Sequence, residues 1–192
     1  MRRDAFAARF SEAFGRLGAN DLQAYRLRYV LAKLTQAVEV NACGETEGTR
    51  WLKRYAEGSA YEIEHIFPIT AGPDCVAKFG DSSGTWTQRL GNLVLVEQGI
   101  NSSLGNLPFS SKRPVYAQSQ LLLTRSITEK PNVGVNTRIN AAVSDLECFG
   151  AWTPTEVEKR QAQLAILARA VWDVPVATGP ASSATTGATS LL

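Results

Sequence analysis

His65 is the only histidine in the 192 residues, and it stands beside an acid in YEIEHIFPIT at positions 61–70. Imidazole accepts a proton near neutral pH, and a neighbouring carboxylate offers a hard oxygen. A lone histidine is equally well explained by core packing or by a place on the surface. It carries chemistry only if other polar groups are brought to it. Asn92 in RLGNLVLV and Asn101 in GINSSLGN are the candidates. Taken singly, Asn92 after a glycine is a turn residue, and Asn101 at a helix start is a cap. The order is what matters: acid and histidine on one strand, an amide at the head of a second, an amide on the helix that follows. Lys112 and Arg113 come next, in PFSSKRPVY.

The elements that must position these groups follow from hydrophobic spacing. Phe6, Phe10, Phe14 and Leu17 recur at helical intervals over residues 4–17, and Gly18 ends that helix. Asn20 and Asp21 are placed to cap a second helix, striped by Leu27, Leu31, Leu34 and Val38. A small basic and aromatic helix is expected around Trp51–Tyr55, then a strand over 61–67. Residues 70–90 carry glycine-rich breaks without a sustained period and read as a long loop. GNLVLVEQ is a second strand, and INSSLGN a short helix burying Ile100 and Leu104. Ile139, Val143 and Leu146 mark a further helix. Thr153-Pro154-Thr155-Glu156 opens the last one, whose face runs through Val157, Leu164, Leu167 and Val171. Two strands alone cannot hold together, so the amphipathic helices must supply the core.

Composition narrows the function classes. A hydrophobic share of 44% with 20% charged residues describes an ordinary soluble chain. A net charge of +2 creates no strong overall field for nucleic acid, so any basic surface is local. Three separated cysteines, no CxxC and one histidine exclude the usual Cys/His zinc sites and argue against a disulfide framework. No signal peptide or membrane span is evident, which points to the cytoplasm. Trp51, Trp86, Trp152 and Trp172 read as packing residues, and Arg160 as half of an ion pair. The uncharged tail 176–192 is expected to be disordered.

The order EHIFP, GNLVLV, IN resembles the HNH, or ββα-metal, nucleases. EHIFPIT followed by RLGNLVLVEQGINSSLGNLPFSSKRPVYAQS is similar to the C-terminal nuclease family of GmrSD-type modification-dependent restriction enzymes. The likeness spans roughly residues 20–173, and its specific motifs lie in 61–119. It implies an α+β, mostly helical fold: a small ββα-metal core wrapped by amphipathic helices in one domain, 1–175. It also implies a DNA endonuclease that nicks strands in defence against phage or modified DNA, with Mg²⁺ as cofactor and Mn²⁺ as a substitute. His65 would be the base, Glu64 and Asn101 the metal ligands. Asn92 would hold the His65 segment, and Lys112 would contact phosphate or the transition state. Arg113, Arg89 and Lys53 are candidates for the DNA track.

The resemblance further implies an N-terminal nucleotide-binding and sensing domain that this chain lacks, and hence a fragment of a longer protein. RNA as substrate fits the same chemistry. The rival reading is a non-catalytic DNA-binding or regulatory module that keeps the nuclease shape. One geometric objection arises at once. On a regular strand Ile63, His65 and Phe67 share a face and Glu64 points the other way, unless the chain bends before Pro68.

Overall fold

In a computed structural model, residues 2–45, 52, 54–55 and 60–174 are described. Trp51, Lys53 and the tail 176–192 lie outside them, so the expectations for those positions have no structural counterpart here. The chain opens with α1 (Arg2–Arg16) and α2 (Ala24–Cys43). All four residues of the α2 stripe are buried, from Leu27 at 6% exposure to Leu34 at 0%. Asp21 does not cap α2. Its carboxylate accepts from Gly18 N at 2.8 Å and closes a 3-10 turn at Ala19–Asp21, while Gln23 stands at the helix start. The short spacing between Asp21 and Gly18 satisfies the carboxylate locally, two residues before the helix can use it.

β1 (Tyr61–His65) and β2 (Leu93–Glu97) form one antiparallel pair, with Tyr61 opposite Glu97 and His65 opposite Leu93. β1 is two residues shorter than the sequence suggests. Beyond His65 the backbone leaves the ladder for the side chain of Asn92, ahead of Pro68. The pair is buried on both faces. Leu93 and Leu95 face a core built from α1, α2 and the last helix, whereas Val94 and Val96 face a second core that includes Phe67, Phe109, Phe149 and Trp152. Burial on both sides explains why β2 reads as an unbroken apolar run.

Residues 70–90 are not a loop. They form α3 (Pro73–Phe79) and α4 (Ser83–Gln88), linked by a 3-10 turn. Pro73 occupies the first helical turn, and Gly80 ends α3 at φ 63°. The residues that look like breaks are therefore the boundaries of two helices too short to show a period. α5 (Gln98–Leu104), α6 (Phe109–Tyr116), α7 (Leu122–Arg125), α8 (Arg138–Val143) and α9 (Pro154–Val171) complete the chain. Thr153 stands at the head of α9, and its hydroxyl pairs with the Glu156 carboxylate. The domain is α+β and mostly helical. Cys43, Cys75 and Cys148 form no disulfide. No helix among the described residues is long and apolar enough to cross a membrane.

Candidate functional site

The site is assembled where β1 ends. Ile66 N donates to Asn92 O at 2.9 Å and Phe67 N donates to Asn92 Oδ1 at 2.7 Å. The Asn92 amide nitrogen returns the contact, donating to Phe67 O at 2.9 Å and to Thr87 O at 3.1 Å. Oδ1 also accepts from the indole Nε1 of Trp152 at 2.9 Å. Asn92 is wholly buried. Its side chain therefore straps the segment that follows His65 and does not face solvent.

α9 holds that strap from behind. Arg160 donates to Gly91 O and Leu93 O, both at 2.8 Å, on either side of Asn92. Gln161 accepts from Gly91 N and donates to Phe14 O, which ties the same turn to α1. The sequence reading of Arg160 as an ion pair is corrected: its guanidinium bonds to carbonyls. Those carbonyls belong to a turn nearly 70 residues away, a partnership that helical spacing cannot reveal. Burial pulls its pKa down to about 10, so it remains charged at neutral pH.

Strand register places Glu62 and Glu64 on the face of Val96 and Val94, under α5 and α6. Glu64 Oε1 accepts from Lys112 Nζ at 2.5 Å and from Tyr116 OH at 3.3 Å. Lys112 also donates to the backbone O of His65 at 2.8 Å and is 0% exposed. It therefore does not stand on a DNA-facing surface, the alternative that its place in a basic pair suggested. A fully buried lysine needs a paired anion, and that anion lies 48 residues back on another element. Desolvation lowers the Lys112 pKa, and the Glu64 carboxylate partly restores it.

Asn101 donates to the Glu62 carboxylate. Glu62 drew no attention in the sequence, although its i, i+2 relation to Glu64 on a strand was the available signal. With its amide nitrogen so engaged, Asn101 Oδ1 is buried without a hydrogen-bond partner. His65 Nε2 is buried and unpartnered as well. Burial lowers the imidazole pKa, and the nearby Lys112 ammonium adds to the effect. Both hydrogen-bond partners of Glu64 among the described residues use Oε1 and not Oε2. Among the described residues no three His, Cys, Asp or Glu side chains gather around one point.

The remaining candidates lie further out. Arg89 donates to Arg16 O at 2.9 Å, at the C-terminal end of α1, and rests over the Trp86 ring. That contact ties one nitrogen of its guanidinium to α1. Arg113 is half-buried on α6, with its Nε unpartnered.

A two-stranded antiparallel pair, followed by a helix and enclosed by longer ones, thus carries an imidazole and carboxylates along β1, with amides from the turn before β2 and from the helix after it. The family described as GmrSD restriction endonucleases, C-terminal domain, matches residues 4–167. The chain belongs to this family, and so is a nuclease-type domain of restriction endonucleases. The match begins within α1, earlier than the sequence motifs alone indicate. No curated protein and no solved structure matches the chain.

Proposed function

We propose that the chain is a Mg²⁺-dependent endonuclease domain, with Mn²⁺ as a substitute, that nicks DNA in restriction of foreign or modified DNA. The observation that supports it best is the pair of buried, unpartnered atoms His65 Nε2, on the last residue of β1 beside the Asn92 brace, and Asn101 Oδ1, on the helix that follows β2. A buried polar atom left unpaired is costly, and such atoms concentrate where a ligand or reaction completes them.

The donor set fits a hard cation: among the described residues Asn101 Oδ1 has no hydrogen-bond partner and those of Glu64 use only Oε1, and Mg²⁺ takes one or two such oxygen ligands plus water and phosphate. When bound, the cation supplies charge neutralisation at the phosphate and the leaving oxygen. His65, held neutral by its surroundings, accepts the proton of the attacking water. Asn92 fixes the backbone that carries the ring. Lys112 orients Glu64 and the His65 carbonyl from within the protein. His65 is the last paired residue of β1, opposite Leu93, so its side chain leaves the ladder from the face opposite to Glu64.

A non-catalytic DNA-binding or regulatory role is the second reading, favoured by there being, among the described residues, no group of three His, Cys, Asp or Glu side chains around one point. Supercoiled plasmid with Mg²⁺ separates the two. Open-circle product that EDTA abolishes, and that His65→Ala reduces by about 10²–10⁴-fold, supports the nuclease. DNA binding without nicking by the unaltered protein supports the rival. Parallel incubation with structured RNA decides between the two nucleic acids.

A further inference from the structure

A cavity of about 370 Å³ opens on the residues that directly follow His65. Its walls include Phe67, Phe79, Phe109 and Trp152, and its lining is overwhelmingly apolar. Phe67 and Phe79 stack at 3.8 Å, and Phe109 lies 5.1 Å from Trp152, centroid to centroid. Lys78 is the one charged residue of the lining; it is exposed and has no partner among the described residues. The volume lies in the ~300–1,000 Å³ range of pockets for small planar ligands. None of the groups assigned to the reaction uses this space.

We propose that the cavity receives one unstacked nucleobase of the strand being cut. The inference rests on the nuclease reading for its location and on the cavity itself for its chemistry. Pro68, at its wall, is three residues from His65, at most about 11 Å of chain. That is roughly the length of three nucleotides at ~3.4 Å rise per strand. A strand lying against His65 therefore presents its neighbouring bases to this opening. An apolar, aromatic lining suits the faces of a flat heterocycle and penalises a charged group. Lys78 at the rim meets the phosphate that flanks the inserted base. The occupant is a base and not a protein side chain because the cavity is continuous with the segment that carries His65 and has a cation at its mouth.

Binding is measured with a ten-residue abasic single strand that carries one central thymidine, against the wholly abasic strand. The His65→Ala protein is used so that neither strand is cut. The single base should tighten binding by roughly 5- to 150-fold, the range of one base stacked on aromatic side chains. Gly150→Leu and Ser110→Leu fill the opening from its rim. Gly150 is exposed, and a Cβ there meets no heavy atom within 4 Å. Each filled variant should lose the gain from the base and bind the abasic strand as before. Equal binding of the two strands by the unfilled protein overturns the proposal. So does a gain that both filled variants retain in full, which leaves the cavity to an apolar side chain of a protein partner. Should plasmid nicking fail while the base-dependent gain and its loss on filling persist, the nuclease reading falls and the base site stands.

Discussion

The indole Nε1 of Trp152 and the backbone N of Phe67 donate to the same atom, Asn92 Oδ1, at 2.9 and 2.7 Å. One amide oxygen thereby joins the segment after His65 to the residue just ahead of α9. Removing it strands two buried donors, each costing about 1–3 kcal/mol. Asn92→Ala is expected to destabilise the fold by ~2–5 kcal/mol, read from urea midpoints at unchanged slope. Asn92→Asp keeps one acceptor but sets a buried carboxylate oxygen against Phe67 O and Thr87 O, and should cost at least as much. A midpoint that Asn92→Ala leaves in place refutes the strap.

Lys112 and Glu64 form a buried pair whose halves need each other. Lys112→Met leaves a nearly enclosed carboxylate without its cation, at a cost of about 3–5 kcal/mol. Adding Glu64→Gln should recover much of that loss. A double variant no more stable than Lys112→Met would mean that the pair does not act as a unit.

Folding holds the His65 imidazole below its ordinary pKa of 6.5, through burial first and the Lys112 ammonium second. The unfolded chain then binds the proton more readily, so this residue's contribution to stability is complete above pH 6.5 and is lost as pH falls below it. The nicking rate should climb with pH below 6.5 and stay flat from there to about pH 8. A rate that instead climbs across that upper interval assigns the base to another group.

Glu62 turns Asn101, taking its amide hydrogen and leaving Oδ1 bare. Asn101→Ala should raise the Mg²⁺ concentration for half-maximal nicking, and Glu62→Gln should do so by ~10–100-fold through the lost orientation. Both variants should keep their thermal midpoints within a few degrees. An unchanged Mg²⁺ requirement in Asn101→Ala removes that residue from the metal site.

Gly91 lies so close to α9 that an added Cβ would collide with Val157 O and crowd Gln161. The contact is with helix backbone, which cannot step aside. Gly91→Ala is expected to cost about 1–3 kcal/mol or more, seen as a lowered urea midpoint.

Much of this arrangement is legible in the sequence, and the parts that are not have physical causes. The α2 stripe and the β2 run are visible because apolar burial imposes a period or an unbroken run over many residues. α3 and α4 are hidden because helices of seven and six residues are too short to display one. His65, Asn92 and Asn101 are found through their order. Their partners are less visible, since Lys112 to Glu64, Asn101 to Glu62 and Arg160 to Gly91 are all long-range hydrogen bonds. A lysine in a basic pair carries no local mark that it will be wholly enclosed. The strand alternation that separates Glu64 from His65 holds through the histidine, whose pairing with Leu93 is the last of the ladder.

Arg160 and Gln161 reach from the last helix to the turn that begins the second strand. The chemistry-bearing stretch 61–119 is for that reason not portable. Transplanted into a foreign scaffold, it would carry every group proposed to react and leave behind the guanidinium and amide that hold its hinge shut. Any engineered minimal version has to import those two anchors or reinvent them.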